Sequence, residues 1–291
     1  MSGCYLCPRM CGADREAGEI GYCGMGALPL VAKSGLHFYE EPPISGENGS
    51  GTMFFCGCNL KCVFCQNKAI SRNEAVGDVM DSRALANLML DIQDMGAHNI
   101  NLVTATHFAD TVAEALRAVK DKLSIPVIYN TSGYERVEIL KNLDGLIDIY
   151  MPDLKYCSSE LSEKYSYASD YFAVASEALR EMYRQVGKIE YGEDRMLKRG
   201  VLVRHLVLPG ARADSAEVLR AICRILPKDE ILVSVMRQYT PEFAMDCEYK
   251  ELKRRLTTFE YESIADMAIK LGIKGFFQGA GAADTKFTPD F

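Results

Sequence analysis

Residues 51–67, with the sequence GTMFFCGCNLKCVFCQN, join an apolar run to a short loop that carries three cysteines. The first five of these residues are typical of a β-strand, because none is charged and a turn-forming sequence follows them. The loop then places Cys58, Cys62 and Cys65 in the pattern C-x3-C-x2-C. Three thiolates on one loop directly after a strand can all reach a single inorganic centre.

The composition of this loop favours an iron–sulfur cluster over a zinc site. A 4Fe–4S cluster takes four ligands, usually cysteines. Cys58, Cys62 and Cys65 supply three, and the loop has no histidine or carboxylate, so one iron would stay open to a small molecule. A zinc knuckle is the alternative, but its fourth ligand would have to be His37 or Cys56, and Cys56 looks like an ordinary strand-end residue.

Outside this loop, short apolar runs alternate with amphipathic stretches. The runs predict strands over residues 51–55, 99–104, 126–130, 146–151, 200–208 and 230–236. Helical periodicity predicts helices over residues 82–95, 109–123, 169–186, 215–225 and 258–271. Strands separated by helices indicate βαβ units and a parallel sheet, and several runs are nearly all apolar, as expected for strands covered on both faces.

These elements predict an α/β protein with a partial (β/α)6 barrel over residues 49–291 and a small cysteine-rich metal-binding segment over residues 1–48. A doubly wound sheet is the alternative arrangement of the same strands and helices. In both arrangements, functional side chains are expected just beyond the carboxyl ends of the strands.

The N-terminal segment is rich in cysteine, glycine and proline and poor in apolar periodicity, so it needs something other than a large core to hold it. Its spacing does not distinguish zinc from iron, and we favour zinc or mononuclear iron over a second 4Fe–4S cluster. Arg9, Asp14 and Arg15 are candidates for anchoring the segment to the barrel. Four thiols in the pattern C-x2-C-x3-C-x11-C could close around the accessory ion: those of Cys4, Cys7, Cys11 and Cys23.

The composition of the whole chain agrees with metal-binding cysteines. There are 11 cysteines, an odd number clustered towards the N-terminus, which fits a disulfide framework poorly. The three late ones, Cys157, Cys223 and Cys247, are predicted to be small buried hydrophobes. No apolar run is long enough for a membrane span and no signal-peptide core is present, which predicts a cytoplasmic protein. A formal net charge of −7 argues against nucleic acid as a partner.

The pattern C-x3-C-x-Phe-C, with Phe64 before the third cysteine, resembles the signature of the radical S-adenosylmethionine (SAM) superfamily. The longer string GCNLKCVFCQN resembles the pyruvate formate-lyase activating enzymes, and particularly their homologues with an extra N-terminal cysteine segment. The resemblance implies a 4Fe–4S cluster whose open iron binds SAM. It also implies reductive cleavage of SAM to a 5′-deoxyadenosyl radical that abstracts hydrogen.

The same resemblance implies further SAM contacts at the ends of the predicted strands. Asp153 and Lys155, in the sequence MPDLK, match a motif whose aspartate faces a monovalent cation and whose lysine pairs with the SAM carboxylate. Arg204, in VRHLVLPG, would reach the cofactor, whereas His205 alternates to the other side of the strand and is expected to be structural.

Other strand-end residues are implied by position. Phe64 would pack near the adenine, and the loop and strand ends would supply polar contacts to SAM: Asn67, then Thr104, Thr106 and His107 in place of a Gly-Gly-Glu turn, and Asn130 and Thr131 in the turn YNTSG. Asn130 stands where the activating enzymes have an acidic residue. Gln238 and Tyr239 lie where related proteins contact the ribose.

The resemblance implies that hydrogen is taken from a glycine of a glycyl radical protein, with a flavodoxin or ferredoxin-like protein as the reductant. One alternative is a radical SAM enzyme that acts on a peptide or a small metabolite, because substrate-facing residues lie on variable loops. Another is an iron–sulfur electron carrier without catalysis, which the absence of a fourth ligand in the loop disfavours.

Overall fold

The computed structural model describes residues 3–72, 76–287, 289 and 291, and its central feature is one large, mostly parallel sheet. The strand order is β10-β9-β8-β6-β5-β4-β2-β1-β3, with β7 paired to β8. Within the described residues the strands are β1 Leu30–His37, β2 Ser50–Phe55, β3 Asp78–Val79, β4 Ile100–Val103, β5 Val127–Thr131, β6 Ile149–Pro152, β7 Glu190–Tyr191, β8 Leu197–Leu206, β9 Leu232–Met236 and β10 Gly275–Phe277.

Helices connect most of the parallel strands. Asp81 begins α3 by accepting a hydrogen bond from the backbone N–H of Ala84 at 2.8 Å, and Thr257 and Glu260 form a capping box at the start of α9. In the described part of the chain the helices are α1 Pro42–Ser45, α2 Lys68–Ser71, α3 Ser82–Asp94, α4 Ala109–Val119, α5 Val137–Lys141, α6 Ser159–Ser166, α7 Tyr171–Val186, α8 Arg212–Ile225 and α9 Thr258–Lys270.

The parallel strands follow one another in a single direction across the sheet. From β2 through β4, β5, β6, β8 and β9 to β10, each strand pairs in parallel with the next. This is the winding of a (β/α) barrel, because a doubly wound sheet would reverse direction part-way across. The partial barrel is confirmed, and β2, β4, β5, β6, β8 and β9 coincide with the six predicted runs.

Alternate side chains of the strands belong to two apolar clusters. In β5, Tyr129 joins the main core together with helix residues such as Leu85, while Ile128 joins a smaller cluster with Leu202 of β8. Ile44 of α1 packs into this smaller cluster. The short helix α1, which follows β1, therefore packs against the inner face of the sheet.

Strand β1 is absent from the sequence prediction, which assigns its residues to the cysteine-rich segment. It pairs antiparallel with both β2 and β3, so it extends the main sheet. Its sequence, LVAKSGLH, lacks a period of two for a physical reason. Gly35 has a φ of +139°, and the register with β2 shifts between Val31 and Lys33.

Strand β10 is also absent from the prediction, because only three residues form it. Gly275 pairs so closely with β9 that an added Cβ would lie 1.8 Å from the carbonyl oxygen of Val233. Only glycine fits at this position. Among the described residues, no helix combines the length and the apolar character that crossing a membrane requires.

Candidate active site

A pocket of about 210 Å³ opens at the carboxyl ends of the parallel strands. This is the end of a barrel sheet where functional side chains are expected. Successive strands contribute residues to its lining: Phe54 from β2, Val103 from β4, Asn130 and Thr131 from β5, Asp153 directly after β6, Arg204 from β8 and Met236 from β9.

The three cysteines of the loop after β2 line this pocket together. Gly57 and Lys61 have φ angles of +79° and +62°, and these turns fold the loop so that the three thiols face one cavity. Hydrogen bonds to sulfur tune the properties of iron–sulfur clusters. Each of the three sulfurs has a donor: the Leu60 N–H at 3.4 Å for Cys58, the Ser166 hydroxyl at 2.9 Å for Cys62, and the Ser71 hydroxyl at 3.5 Å for Cys65.

The donor set fits an iron–sulfur cluster. Burial raises the pKa of Cys62 to about 12 and also raises the pKa of Cys65, although the nearby Lys155 ammonium opposes both shifts. Such thiols become thiolates when a metal supplies positive charge. Within residues 3–72 and 76–287, no three Cys, His, Asp or Glu side chains are arranged as the ligands of a metal ion. The fit therefore rests on the shared cavity and on the hydrogen bonds to sulfur.

Asp153 and Lys155 meet in the pocket as an ion pair. Their side chains are only 24% and 16% exposed, so the pair is mostly withdrawn from water. The Asp153 carboxylate raises the pKa of Lys155 although burial alone would lower it, so the ammonium stays protonated. His205 lies outside the pocket lining, as expected, with Nδ1 at 2.8 Å from the Leu154 carbonyl oxygen, and burial lowers its pKa to about 4.

Arg204 lines the pocket but is held by two carboxylates that the sequence prediction missed. Its guanidinium lies 2.6 Å from Oε2 of Glu40 and 3.0 Å from Oε1 of Glu41. Both glutamates follow β1, and their side chains are no more than 8% exposed. Two consecutive acidic residues stand before Pro42 in the sequence, but their pairing with Arg204 could be predicted only if β1 was first recognised as a strand.

The remaining candidate residues fall into two groups, and one group lines the pocket. Thr104 directly follows β4 with a φ of +64°, and its backbone N–H donates to the Asn130 carbonyl oxygen at 2.9 Å. Phe64 packs edge-to-face against Tyr165 and Tyr239, with ring centroids 6.5 and 6.3 Å apart. The pocket contains these predicted residues: Phe64, Asn67, Thr104, Asn130, Thr131, Gln238 and Tyr239.

Thr106 and His107 form the other group, because the structure does not bring them to the pocket. They lie in a short 3-10 turn after β4 that carries both side chains into the protein interior. The Thr106 hydroxyl donates to the carboxylate of Glu135, and His107 Nε2 lies 2.7 Å from the Cys56 carbonyl oxygen. Burial lowers the pKa of His107 to about 4, so a neutral ring serves as a structural contact.

The N-terminal segment packs against the cysteine loop and the turn after β4. Arg9 donates to the Asn59 carbonyl oxygen at 2.7 Å, and Arg15 donates to the His107 carbonyl oxygen at 2.7 Å. Both anchoring predictions are confirmed. Asp14 instead accepts a hydrogen bond from Ala17 within the segment.

The cysteines outside the loop differ in exposure. Cys7 and Cys23 are buried, Cys4 is half-buried and Cys11 is exposed. Cys56, next to the loop, is fully buried and absent from the pocket lining, in agreement with its prediction as a strand-end residue. Three partly buried thiols pack against the main core: those of Cys157, Cys223 and Cys247.

The protein thus combines a partial (β/α) barrel with a three-cysteine loop at the mouth of its sheet, which defines a class of iron–sulfur enzymes that bind SAM. Residues 52–222 match the family model of the radical SAM superfamily, and the chain belongs to that superfamily. Membership implies a 4Fe–4S cluster, SAM, and cleavage of SAM to a radical.

Similar proteins include one relative in sequence and two solved structures with a similar fold. The chain is 30% identical over 284 residues to the uncharacterized protein MJ0674 of Methanocaldococcus jannaschii, an alignment that covers 93% of this chain and 75% of the relative. SuiB of Streptococcus suis, solved with its precursor peptide SuiA, gives a TM-score of 0.54 at 13% identity over 77% of this chain. The chain spans 47% of SuiB. Methylornithine synthase (PylB) gives a TM-score of 0.50 at 16% identity, covering 76% of this chain and 60% of PylB. These two likenesses establish the fold alone.

Proposed function

We propose that the protein activates a partner by taking hydrogen from a backbone glycine, as a glycyl radical activating enzyme. The observation that carries the radical SAM part is the convergence of Cys58, Cys62 and Cys65 on a cavity that also holds Asp153 and Lys155. Cys58, Cys62 and Cys65 would hold the cluster, which would supply one electron, received from a flavodoxin or ferredoxin-like protein, for the cleavage of SAM to methionine and a 5′-deoxyadenosyl radical; this radical would become 5′-deoxyadenosine on taking a substrate hydrogen atom.

The chain's own residues would bind and orient SAM. The Lys155 ammonium, which Asp153 holds in place, would pair with the SAM carboxylate. Asn67 Oδ1 is buried in this part of the pocket and has no hydrogen-bond partner in the described residues, so a ligand amine or hydroxyl would satisfy it. Phe64 offers a ring face or edge to the adenine, and Thr104 offers polar atoms at the end of β4.

Residues of β8 and β5, the strands on either side of β6, would fix the rest of the cofactor. Arg204 is pre-oriented by Glu40 and Glu41, so it can donate to SAM without first losing side-chain freedom. Asn130 and Thr131 line the pocket at the end of β5, where the Thr131 hydroxyl also donates to the Glu135 carboxylate.

The mouth of the pocket supports a polypeptide substrate. Ala282, Asp284 and Phe287, from the segment after β10, line the pocket, so a stretch of chain already fits there. A protein loop carrying the reactive glycine could enter by the same route. The alternatives are a free peptide, the ligand class in the SuiB complex, and a small metabolite.

We also propose that Cys4, Cys7, Cys11 and Cys23 bind an accessory zinc or iron ion. The protein works in the cytoplasm, because its cysteines are suited to a reducing compartment.

The test measures 5′-deoxyadenosine from anaerobically reconstituted protein with SAM and a strong reductant. We expect product from the natural protein and none from Cys62→Ala. Cys56→Ala is the matched control, because Cys56 lies in the same stretch but outside the pocket. A cluster that is reduced and reoxidised without any SAM cleavage would overturn the enzyme proposal in favour of an electron carrier.

The substrate class is tested separately. Glycyl radical proteins, peptides and metabolites are added to the reduced enzyme, and the glycyl radical is sought by electron paramagnetic resonance. We expect a radical doublet on a protein partner and a matching rise in 5′-deoxyadenosine. Stimulation by a small metabolite alone would contradict the activating role but leave the SAM chemistry intact.

A further inference from the structure

The end of helix α6 lies directly against the loop that carries the three pocket cysteines. The Val63 N–H donates to the Tyr165 carbonyl oxygen at 2.9 Å, which ties the loop to the last turn of the helix. The guanidinium of Arg9 donates to the Ser166 carbonyl oxygen at 3.1 Å and to the Asn59 carbonyl oxygen at 2.7 Å, so it joins the same two elements. These contacts fix the backbone of Ser166 relative to the cysteine loop.

The side chain of Ser166 contacts one of the three pocket sulfurs. Its hydroxyl donates to Cys62 Sγ at 2.9 Å, and both residues are buried. The corresponding hydrogen bonds to the sulfurs of Cys58 and Cys65 are longer, at 3.4 and 3.5 Å. Cys62 therefore has the closest donor of the three, and burial strengthens this hydrogen bond because little solvent competes for it.

A second hydroxyl group fixes the direction in which Ser166 donates. Tyr156 Oη lies 2.9 Å from Ser166 Oγ, and the Tyr156 ring packs against the rings of Tyr165 and Tyr171, with centroids 6.4 and 5.5 Å away. A serine hydroxyl has a single proton. Since that proton points to Cys62, Ser166 accepts a hydrogen bond from Tyr156. The two hydroxyl groups form a chain that ends on the sulfur, and each hydrogen bond polarises the next.

We propose that Ser166 is a positioning residue that raises the reduction potential of the cluster bound to Cys62, and that Tyr156 supports it. This role rests on the proposed function, in which Cys58, Cys62 and Cys65 hold a 4Fe–4S cluster. When a one-electron donor protein reduces that cluster, the donor loses the electron that the cluster gains, and the Ser166 proton stays on its oxygen. The ligand sulfur is more negative after this step, so the hydrogen bond stabilises the reduced state more than the oxidised state.

The first experiment measures the reduction potential itself. Reconstituted protein without SAM is poised at a series of potentials, and the reduced cluster is quantified by electron paramagnetic resonance. Ser166→Ala should lower the ratio of reduced to oxidised cluster at a fixed potential about 10-fold, which corresponds to about 59 mV for a one-electron couple. Ser162→Ala is the matched control, because Ser162 is equally buried in the same helix but donates to the Ser159 carbonyl oxygen at 3.1 Å. Equal potentials in the natural protein and both variants would overturn the proposal.

Two further variants grade the effect. Tyr156→Phe removes only the hydroxyl that supports Ser166, so the ratio should fall about threefold. Ser71→Ala removes the longer hydrogen bond to Cys65 and should also change the ratio less than Ser166→Ala does. If Ser166→Ala does not hold a full cluster, Tyr156→Phe provides the test, because it leaves the contact with Cys62 in place. A natural potential in Tyr156→Phe, or an equal shift in Ser71→Ala, would contradict the chain of hydroxyl groups as the cause.

The second experiment compares two reductants, because the potential decides which donors can reduce the cluster. With a reduced flavodoxin as the donor, Ser166→Ala should form 5′-deoxyadenosine about 10-fold more slowly than the natural protein. With excess dithionite, a strong chemical reductant, the two proteins should be equal, since both clusters are then fully reduced. An equal loss with both reductants would mean that Ser166 only holds the structure, and would refute its effect on the potential.

These results separate the inference from the proposed function. Natural protein that takes up no 4Fe–4S cluster, or that never cleaves SAM with dithionite, would contradict the radical SAM proposal. Natural protein that cleaves SAM while the cluster of Ser166→Ala keeps the natural potential would contradict only this inference.

Discussion

The cysteine loop after β2 and the N-terminal cysteine segment differ in their number of thiols and in what those thiols face. In the loop, the backbone N–H of Leu60, two residues beyond Cys58, donates to the Cys58 sulfur at 3.4 Å. The loop supplies three thiols and faces a cavity, whereas the segment supplies four and packs against protein. If the four N-terminal thiols bind the proposed accessory ion, ligand number separates an open, reactive centre from a closed, structural one.

The largest effect is expected from removing one ligand of the open centre. Cys62→Ala should lower 5′-deoxyadenosine formation at least about 1000-fold, because a cluster with two protein ligands is not retained. The measurement is product by liquid chromatography together with iron per chain. Cys56→Ala should keep the cluster at a cost of about 1 kcal/mol in stability, since it only trims a buried side chain. Equal iron loss in the two variants would break the distinction between ligand and core cysteine.

The next effect concerns Glu135, a buried carboxyl group that accepts hydrogen bonds from Thr106 and Thr131. Burial raises its pKa from 4.5 to about 7, although these hydrogen bonds oppose the shift. The folded state therefore binds a proton more tightly than the unfolded state, so this group's contribution to stability falls as pH rises from about 4.5 to about 7. The total loss is on the order of 3 kcal/mol.

Glu135→Gln isolates this contribution, because glutamine keeps the shape and cannot ionise. We expect the thermal midpoint of the natural protein, relative to the variant, to fall between pH 5 and pH 7 and to level off above that. Tyr129, Tyr150 and Cys7 lie near Glu135, but burial raises the pKa of each above this range. Parallel midpoints for the two proteins at all pH values would show that Glu135 is ionised in the folded state.

A smaller effect is expected at the Asp153–Lys155 pair. Asp153→Asn removes the charge that holds the Lys155 ammonium, so SAM affinity should fall about 10-fold while the iron content stays unchanged. Equilibrium dialysis with labelled SAM measures the change. Glu177→Gln, which removes an exposed partner of Arg180 on α7, should have no effect on affinity. Loss of iron from Asp153→Asn would mean that the pair supports the cluster rather than the cofactor.

The barrel was predictable from the sequence because its strands are apolar on both faces and each lies between amphipathic helices. The apolar runs at 99–104 and 126–130 coincide with β4 and β5 to within a residue or two. Strand β1 was not predictable in the same way, since Gly35 and a register shift remove its periodicity. Strand β1 forms by pairing with β2, and this pairing cannot be seen in the local sequence of β1.

The residues of the site also differ in whether the sequence could predict their positions. The three thiols, Asp153 and Lys155 follow strands directly, so their meeting at one edge of the sheet could be inferred. Thr106 and His107 also follow a strand, but a 3-10 turn takes them away from the pocket. Glu40 reaches Arg204 across 164 positions in the chain, and only the folded sheet reveals that contact.

The smallest effect tests whether the two cysteine regions communicate through Arg9. Its guanidinium donates to the Asn59 carbonyl oxygen at 2.7 Å and to the Ser166 carbonyl oxygen at 3.1 Å, and it stacks on Tyr22 with its carbon 4.4 Å from the ring centre. Lysine keeps the charge but lacks the planar fork, so Arg9→Lys should cost about 1 kcal/mol and speed cluster loss about threefold.

Arg180→Lys, an exposed change on α7, is the control for the loss of a guanidinium and should alter neither quantity. The measurements are the thermal midpoint and the decay of cluster absorbance with a chelator. If Arg9→Lys lowers the midpoint while the cluster decays at the natural rate, then Arg9 only secures the segment. The hydrogen bond from the Cys58 N–H to the Cys23 carbonyl oxygen, at 3.2 Å, would then be the contact that joins the two cysteine regions.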